Sequence, residues 1–401
     1  MKLARFILAV CCCALLIGSF VTAEHLRSKT PAVANAPEPP SGSSWYFAVS
    51  GDSRDCGDVI MPKIAKSIAE KRKQAPIKFY WHLGDFRALY RVDCDMGLPL
   101  NPSFKCVQGS ASPSETEPMR QEYMKAAWPN FIEHQVKPFE LAGIPIYLGI
   151  GNHELIKRTR QEVEVEFKKW LTQPAIKAQR KADAKKKIVP AAGDTYFHFV
   201  MNGVDFITLD NASIYDVDAQ TKKPDPGFSA TQLKWLDQIL KADAANKSIK
   251  TVVVGMHAAL PESVSKSHAM DRSCESFCSG KQAYAMLERL HSAGKNVLAL
   301  ASHSHYVEPN AYHTPQLKGH ELPGWIIGTA GAEQYKLEIR YGYLLVEVKP
   351  DGTVHASFEE VKREAGDPAT PLFDYCFEKN KKLPDPNEKH VTAKDCTCRV
   401  Q

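Results

Sequence analysis

The chain reads IPIYLGIGNHE over residues 144–154, and this stretch decides the fold. Its first part, residues 144–148, is a short apolar run of the kind that forms buried strands. Asn152, His153 and Glu154 follow almost at once. In open α/β sheets, ligands and catalytic groups gather just past the carboxyl ends of the strands. The stretch therefore predicts a buried strand that carries three polar side chains into a functional site.

The same arrangement occurs four more times along the chain, and each apolar run leads to a residue that can bind a metal ion. If the five strand ends converge, two Asp, one Asn and three or four His would share one pocket. The pattern therefore predicts a dinuclear metal site. The other four runs and their motifs are 45–49 before Gly51-Asp52-Ser53-Arg54, 77–81 before Gly84-Asp85, 251–254 before Gly255-Met256-His257, and 297–300 before His303-Ser304-His305.

This order of motifs resembles that of the calcineurin-like metallophosphoesterase superfamily, which includes the purple acid phosphatases. The family pattern is Asp-x-His, Gly-Asp, Gly-Asn-His-Asp/Glu, a lone His, and Gly-His-x-His, and the match spans roughly residues 45–361. The Gly-Asn-His-Glu motif is the most specific piece, and residues 328–332 and the hairpin around 343–353 also resemble the family. The resemblance implies an α/β fold, a four-layer α/β/β/α sandwich of two mixed sheets flanked by helices.

Three positions depart from the family pattern. Arg54 stands where the first motif has its His, so one metal ion loses a ligand. Ser302 replaces the Gly of the last motif, which is a mild change. Purple acid phosphatases carry a Tyr ligand three residues after the Asp of Gly-Asp, and Ala88 stands there in this chain. A purple acid phosphatase proper is therefore disfavoured.

The resemblance also implies a role for each motif residue. Asp85 would bridge two metal ions, and a hydroxide shared by the metals would attack the phosphorus of an ester. His153 would assist the leaving group, and Glu154 could orient its imidazole ring. Such ligands suit zinc, iron or manganese. The remaining ligands would be Asp52 and His305 at the first metal, and Asn152, His257 and His303 at the second.

Arg54 leaves three alternatives open. A guanidinium group has no free lone pair and cannot bind a cation. It could form a salt bridge to Asp52 or another carboxylate, or it could contact a substrate phosphate. The third alternative is a weakened first site, with only one tightly bound metal ion. Tyr306 and Tyr90 are further candidate substrate contacts, whereas His268, like the other histidines outside the motifs, is predicted not to be a ligand.

The N-terminus resembles a secretory signal peptide over residues 1–23. Lys2 and Arg5 precede an apolar run that ends near a Val-Thr-Ala cleavage site. The run is short for a membrane span, which favours cleavage over an anchor. Residues 24–44 are Pro-rich and are predicted to be a disordered linker. Residues 45–361 are the predicted metallophosphoesterase domain, and 362–401 are a Cys-containing C-terminal tail.

Eight cysteines would remain after cleavage. An even number in an exported chain predicts disulfides, with the pairing left open, and it predicts that they pin the tail to the domain. The alternative is a thiolate metal site, which the spacing does not favour because paired Cys-x-x-Cys motifs are lacking. The eight are Cys56, Cys94, Cys106, Cys274, Cys278, Cys376, Cys396 and Cys398.

With 401 residues the chain is long enough for one large α/β domain, and its net charge of +5 does not indicate a nucleic-acid partner. The Lys-rich run 177–187 is typical of a solvated surface. The leading hypothesis is an exported, metal-dependent phosphoesterase that hydrolyses small phosphomonoesters, secreted or periplasmic and without a stable membrane anchor. A phosphodiesterase or nucleotide hydrolase is the alternative. A non-enzymatic alternative is a metal- or phosphate-binding module that lost catalysis with the first His.

Overall fold

The computed structural model describes four parts of the chain, and the predicted signal peptide lies outside them. Most of the predicted linker and the end of the tail also lie outside the described residues. No helix of the described residues is long and apolar enough to cross a membrane. The described residues are 42–212, 227–265, 268–270 and 278–382.

The first sheet is mixed and has the strand order β11-β10-β1-β2-β3. The pairs β1–β2 and β2–β3 are parallel, whereas β10 runs antiparallel to both β1 and β11. Its strands are β1 (Trp45–Ser50), β2 (Ile77–His82), β3 (Ile146–Leu148), β10 (Gly342–Val348) and β11 (Val354–Glu360).

The second sheet is also mixed and has the order β4-β5-β6-β7-β9-β8. Its centre is parallel from β5 through β9, and antiparallel strands β4 and β8 form the two edges. Its strands are β4 (Phe197–Met201), β5 (Val204–Thr208), β6 (Thr251–Met256), β7 (Asn296–Ala301), β8 (Val307–Pro309) and β9 (Gly324–Ile327).

The two sheets pack face to face through aromatic side chains. The ring of Phe206 on β5 lies 5.0 Å from the rings of both Phe47 on β1 and Phe79 on β2, edge to face in each case. Such pairs contribute about 0.5–1.5 kcal/mol beyond the area they bury. Because side chains alternate along a strand, the neighbours of these residues point to the outer faces of the sheets.

Helices cover both outer faces. On the first sheet, Tyr80 faces outward and stacks on Phe139 of α4 with 4.4 Å between ring centroids. On the second, Val252 and Val254 belong to one apolar cluster with Leu236 of α8. The predicted four-layer α/β/β/α sandwich is therefore confirmed. The helices are α1 (Gly57–Lys71), α2 (Cys94–Leu100), α3 (Glu117–Phe131), α4 (Lys137–Leu141), α5 (Arg160–Glu166), α6 (Lys168–Leu171), α7 (Pro174–Lys185), α8 (Ala230–Ala245), α9 (Ser279–Ser292) and α10 (Pro371–Asp374).

Two structural features follow from short stretches of sequence. Ser229 caps α8 by accepting a hydrogen bond from the backbone N–H of Gln232, as expected for a Ser that opens a helix. The hairpin between β4 and β5 turns at Asn202 and Gly203, which have φ angles of 49° and 79°. Positive φ at both central residues is the signature of a type I′ turn, for which Asn-Gly is a favoured pair.

Residues 87–116 are irregular except for α2, which lies within the segment. Arg87 is fully buried, and its guanidinium contacts Asp95 in the first turn of that helix at 2.7 Å. Asp93, just before the helix, accepts hydrogen bonds from the backbone N–H of Ala88 and from the hydroxyl of Tyr123. A local charge network of this kind leaves no periodic apolar pattern in the sequence.

Disulfides join the cysteines that the structure describes. Cys56 and Cys376 are linked with 5.7 Å between their Cα atoms, and Cys94 and Cys106 are linked with 5.4 Å. Cys278 is also disulfide-bonded. The first bridge holds the C-terminal tail against the loop that follows β1. The second joins the first residue of α2 to the segment that follows this helix. The remaining cysteines, Cys274, Cys396 and Cys398, lie outside the described residues.

Candidate metal centre

The predicted ligands lie at one edge where the parallel strands of both sheets end. Each of them follows the last residue of β1, β2, β3, β6 or β7 by no more than four positions. A hydrogen bond joins the two sheets at this edge: the backbone N–H of His303 donates to Asp52 Oδ2 at 2.7 Å. The topology therefore brings motifs from opposite halves of the chain into one site.

Four of the predicted ligands form a compact group. One ligand atom from each of Asp52, Asp85, His257 and His303 lies within 4.8 Å of the other three. Asp52 Oδ1, Asp85 Oδ2 and His303 Nδ1 are buried without a hydrogen-bond partner among the described residues. A buried polar atom left unsatisfied costs about 1–3 kcal/mol, which a bound cation would remove. Two carboxylates and two imidazoles fit zinc, iron or manganese.

His257 is oriented by its other ring nitrogen. Its Nδ1 lies 3.1 Å from the backbone carbonyl of Leu83 and 3.1 Å from the hydroxyl of Ser302. A carbonyl only accepts, so Nδ1 carries a proton and donates it. Its Nε2 is 3.0 Å from Asn152 Oδ1 and 3.2 Å from Asp85 Oδ1, so three predicted ligands face one point. Ser302, which stands where the family pattern has Gly, thus supplies a hydrogen-bond partner for His257, one of the predicted metal ligands.

His305 lies apart from that group and faces Arg54. Its Nε2 is 3.3 Å from Asp52 Oδ1 and accepts a hydrogen bond from Arg54 Nη2 at 3.1 Å. The hydroxyl of Tyr90 accepts a second hydrogen bond from Arg54 Nη1 at 3.4 Å. Arg54 is only 4% exposed, and within the described part of the chain it forms no ion pair with a carboxylate. The alternative in which Arg54 forms a salt bridge therefore finds no carboxylate partner among the described residues.

Burial and the neighbouring charges shift the pKa values of the residues at this site in opposite directions. Burial alone would raise the pKa of Asp85, but His153 and His257 hold it well below its usual range. Burial alone would lower the pKa of His257, but Asp85 raises it to about 9. Burial would lower the pKa of Arg54 as well, but the neighbouring Tyr90 and acidic groups keep it above its ordinary value. Asp85 is therefore ionised, and its negative charge stabilises the protonated form of His257.

The backbone of three predicted ligands is strained. Asp52, Asp85 and His303 have φ angles of 62°, 60° and 63°, in the left-handed region that non-glycine residues rarely adopt. Each such residue costs about 1–3 kcal/mol and persists only where the surrounding structure enforces it. Strain at three ligands of one cluster indicates that the loops are built to aim these side chains.

Glycine lets the loops come together at the bridging position. Gly84, just before Asp85, has a φ angle of 96°, and a Cβ atom there would collide with the backbone of Gly151. Gly84 of the Gly-Asp motif and Gly151 of the Gly-Asn-His-Glu motif are therefore required for the close approach of Asp85 and Asn152.

Glu154 does not orient His153, which corrects the role implied by the resemblance. Its carboxylate accepts three backbone hydrogen bonds, from Asp85 at 2.9 Å, Phe86 at 2.6 Å and Gly151 at 2.6 Å. The 3₁₀ turn over His153–Leu155 directs the Glu154 carboxylate toward the loop after β2. Burial, with Asp85 adding to it, raises the pKa of Glu154 to about 7. Glu154 therefore ties together the two loops that carry Asp85 and Asn152.

His153 lies at the mouth of the cluster. Its Nε2 is 3.6 Å from Asp85 Oδ2, and its ring centroid is 5.2 Å from that of Tyr90. Its Nδ1 is buried and has no hydrogen-bond partner within the residues described. Burial lowers the pKa of His153 to about 3, despite the opposing charge of Asp85. The imidazole is therefore neutral at pH 7 and lies beside the cluster.

Sequence reasoning placed Tyr306 at the site but missed Tyr335 and His268. Tyr306 lines a neighbouring cavity, where the ammonium of Lys336 lies 4.6 Å above its ring. Tyr335 stacks on His305 with 4.5 Å between ring centroids, and the His268 ring lies 5.0 Å from that of His303. The motif at residues 328–332 lies three positions before Tyr335 and could have drawn attention to that residue. No motif surrounds His268.

Comparisons with known proteins find similarity in structure only. No protein-family model matches the sequence, and no curated protein is significantly similar to it. A dimetal phosphatase from Danio rerio is 11% identical, with 78% of this chain and 98% of that chain covered and a TM-score of 0.46. GAP50, the anchor in the inner membrane complex of Plasmodium, is 14% identical over 86% and 99%, with a TM-score of 0.38. A phosphatase from Mycoplasma pneumoniae is 11% identical over 80% and 94%, with a TM-score of 0.35. Similarity this low assigns no activity to the present chain.

Proposed function

We propose that this chain is a metal-dependent phosphoesterase whose substrates are phosphomonoesters. One observation carries the proposal: two carboxylates and two imidazoles converge at the strand ends, and three of these four side chains have a buried atom without a partner among the described residues. The sequence order of the motifs, which resembles that of the metallophosphoesterases, supports the same activity. In this proposal Asp85, Asn152, His257 and His303 hold a metal ion.

A metal ion bound there would polarise a phosphate oxygen and make water a stronger nucleophile at neutral pH. The chain's own residues supply the rest. The negative charge of Asp85 attracts His257 and Arg54, and Glu154 fixes the loop that carries Asp85 by accepting a hydrogen bond from its backbone N–H. His257 keeps Nε2 directed at the cluster because Nδ1 is hydrogen-bonded. These contacts place the ligands before substrate arrives, which is how a site avoids reorganisation during the reaction.

Arg54 and Tyr90 form the proposed phosphate contact. Arg54 Nε is buried and has no hydrogen-bond partner in the described part of the chain, so one N–H donor remains for a ligand. Tyr90 is 37% exposed, and its hydroxyl accepts hydrogen bonds from both Arg54 and Arg91. Charge-assisted hydrogen bonds from guanidinium to phosphate are strong. A monoester dianion, with three non-bridging oxygens, uses such a cationic site more fully than a diester monoanion does.

His153 is the proposed proton donor to the leaving group. A general acid must hold a proton when the bond to the leaving oxygen breaks, and the buried imidazole of His153 is neutral on its own. A phosphate dianion beside it would raise its pKa, because a neighbouring negative charge favours the protonated form. Substrate binding would therefore prepare the acid. This coupling also explains why the group can remain neutral until then.

A nucleotide hydrolase is the second candidate. A cavity of about 540 Å³ lies beside Tyr306 and is lined by Lys336, Arg340, Leu337 and Glu308 among others. The ring of Tyr306 could stack on a nucleotide base, and Lys336 and Arg340 could bind a second phosphate. The exposed lysines of α7, by contrast, lie on a solvated surface, which does not favour a nucleic-acid groove.

The test is a substrate panel on protein stripped of metal and reloaded with Mn²⁺, Zn²⁺ or Fe²⁺. Phosphomonoesters, diesters and nucleotides are compared, with Asp85→Asn as the control for contaminating phosphatases. We expect metal-dependent release of phosphate from monoesters. Faster hydrolysis of nucleoside polyphosphates would favour the second candidate. Tight metal binding without hydrolysis of any substrate would overturn the proposal and leave a binding module.

We also propose that the protein is exported. The disulfides at Cys56–Cys376 and Cys94–Cys106 support this, since such bonds persist in oxidising compartments. The signal-like composition of residues 1–23 supports it too. Intact-mass measurement of the mature protein, alkylated without reductant, tests both points. We expect a chain that begins near Glu24 and has few alkylated cysteines, and a full-length chain with eight reactive mature cysteines would refute export.

A further inference from the structure

We propose that Arg54 takes the place of the first metal ion, so that the centre holds one metal ion and one fixed guanidinium charge. The proposal rests on the proposed function, because it concerns how the same site binds phosphate. It differs from the dinuclear centre that the sequence pattern predicts.

The first step is the lone pair of His305. An imidazole nitrogen has a single lone pair, which can accept one hydrogen bond or bind one metal ion. His305 Nε2 accepts a hydrogen bond from Arg54 Nη2 at 3.1 Å, beside Asp52 Oδ1 at 3.3 Å. A metal on this nitrogen would lie about 2.0–2.1 Å from it, within the space that the guanidinium occupies. One cation therefore excludes the other.

The second step is that Arg54 is held in this position. The carboxylate of Asp55, the residue that directly follows Arg54, accepts two hydrogen bonds from Arg91, of 2.6 and 2.8 Å. Arg91 Nε also donates to the hydroxyl of Tyr90 at 3.3 Å, and that hydroxyl accepts from Arg54. Arg91 thus neutralises Asp55 and helps to position Tyr90. Arg54 remains directed at His305 rather than at its neighbouring carboxylate.

The third step is that the second position keeps its ligands. Asn152 Oδ1 and Asp85 Oδ1 lie 3.0 and 3.2 Å from His257 Nε2, and His303 belongs to the same compact group as Asp85 and His257. The contacts described for Arg54 involve none of these four residues. Asp52 can serve either position, since one oxygen faces His305 and the carboxylate belongs to the compact group. The site can therefore bind one metal without moving Arg54.

The charges agree with this arrangement. Asp52 and Asp85 are both buried carboxylates, and one divalent cation with one guanidinium would outweigh their two negative charges and leave a net positive charge for the phosphate. Arg54 cannot make a hydroxide from water, but it can bind a phosphate oxygen through its unpartnered Nε. The substitution of His by Arg thus converts a metal position into a phosphate-binding position.

Metal stoichiometry tests the inference directly. The mature protein and its variants are loaded with excess Mn²⁺, freed of unbound metal, and measured by elemental analysis and electron paramagnetic resonance. We expect one Mn²⁺ per wild-type chain, with the spectrum of an isolated ion. Arg54→His restores a lone pair and removes the blocking charge, so it should bind two and give an exchange-coupled spectrum. Arg54→Met is the matched control, which removes the charge without adding a ligand.

A further variant keeps the test decisive if changes at Arg54 prevent folding. His305→Ala should retain one Mn²⁺, because His305 binds Arg54 rather than metal, whereas His257→Ala should lose it. Two tightly bound ions in the wild type, or loss of an ion on His305→Ala, would overturn the inference. Hydrolysis is measured separately. Two ions with hydrolysis would refute only the inference, and one ion with no hydrolysis would refute only the proposed function.

Discussion

Two buried clusters of Asp and His in this protein differ in one respect that separates a functional site from a structural one. At the metal centre, Asp52, Asp85 and His303 each leave a buried atom without a partner among the described residues. In the second cluster, His198 has both ring nitrogens paired: Nδ1 lies 2.8 Å from Asp205 and Nε2 lies 2.7 Å from Asp183. The residue types are the same, but the histidine of the second cluster has no ring nitrogen left for a ligand.

The backbone makes the same distinction. Asp52, Asp85 and His303 adopt left-handed φ angles on loops, whereas His198 and Asp205 lie on the regular strands β4 and β5. Strained loops with unsatisfied atoms indicate a site that is completed by something bound. Regular strands that carry a histidine with both ring nitrogens paired indicate a cluster that contributes to stability. Variants of the two clusters should therefore change different measurements.

The largest effect is expected at Asp85. Asp85→Asn removes the charge that holds His153, His257 and the metal position together. We expect loss of bound metal and a loss of kcat/KM beyond the roughly 10²–10⁴-fold cost of removing a general acid alone. Steady-state kinetics and elemental analysis measure the two effects. Asp183→Asn in the second cluster is the control, and it should lower stability while leaving the metal content unchanged. Equal metal content in both variants would remove the distinction between the clusters.

The next effect concerns His153. His153→Ala should slow turnover by roughly 10²–10⁴-fold, the usual contribution of a general acid. Metal content should stay near normal, since the ring lies 3.6 Å from Asp85 and is not a member of the compact ligand group. The loss should be much smaller for a nitrophenyl ester, whose leaving group needs no proton. If good and poor leaving groups lose rate equally, His153 is not the acid.

The third prediction concerns the structural cluster. Burial alone would lower the pKa of His198, but Asp205 and Asp183 raise it to about 10. The folded state then binds more protons than the unfolded state between about pH 6.5 and 10. The free energy of unfolding should therefore fall across this range as pH rises, by an amount on the order of a few kcal/mol. Burial, with Asp205 adding to it, raises the pKa of Asp243 to about 9, and Lys186 opposes this; the net effect has the same sign.

Urea unfolding of wild type and His198→Gln at pH 6.5, 8 and 10 measures this effect. The variant leaves buried carboxylates without their cation, and it should be less stable by about 3–5 kcal/mol at pH 6.5. Its stability should then fall less than that of wild type up to pH 10, because the contribution of Asp243 remains when that of His198 is gone. Turnover of the folded variant should match wild type, because the cluster contacts none of the predicted ligands. A variant with the wild-type pH slope would show that another group titrates.

The sequence predicted what is local in the chain. An apolar run followed by a ligand-bearing motif is contained within about ten residues, so strands β1, β2, β3, β6 and β7 and the ligands after them could be identified without the structure. The type I′ turn at Asn202-Gly203 and the Ser229 cap were predictable for the same reason. Each of these features depends on neighbouring residues only.

The remainder depends on contacts between distant parts of the chain. Arg54 and His305 are 251 positions apart, and their hydrogen bond is set by how the two sheets stack. Tyr335 and His268 reach the histidines on irregular segments whose paths no periodicity encodes. The role of Glu154 was wrong because the direction of one side chain depends on a single 3₁₀ turn and on the loop it meets.

The smallest effect separates the two remaining roles of Arg54. If its guanidinium binds phosphate, Arg54→Ala should raise KM and weaken inhibition by inorganic phosphate by about 10–100-fold, the value of a charge-assisted hydrogen bond of about 1.5–3 kcal/mol. The content of one metal ion should not change. Arg54→Lys should recover part of the affinity, because it restores the charge but not the planar fork. If Arg54 only fills space beside His305, Arg54→Ala should lower the thermal midpoint, leave phosphate inhibition unchanged, and gain nothing from Lys. Since Arg54 Nε has no partner among the described residues, the structure favours the first outcome.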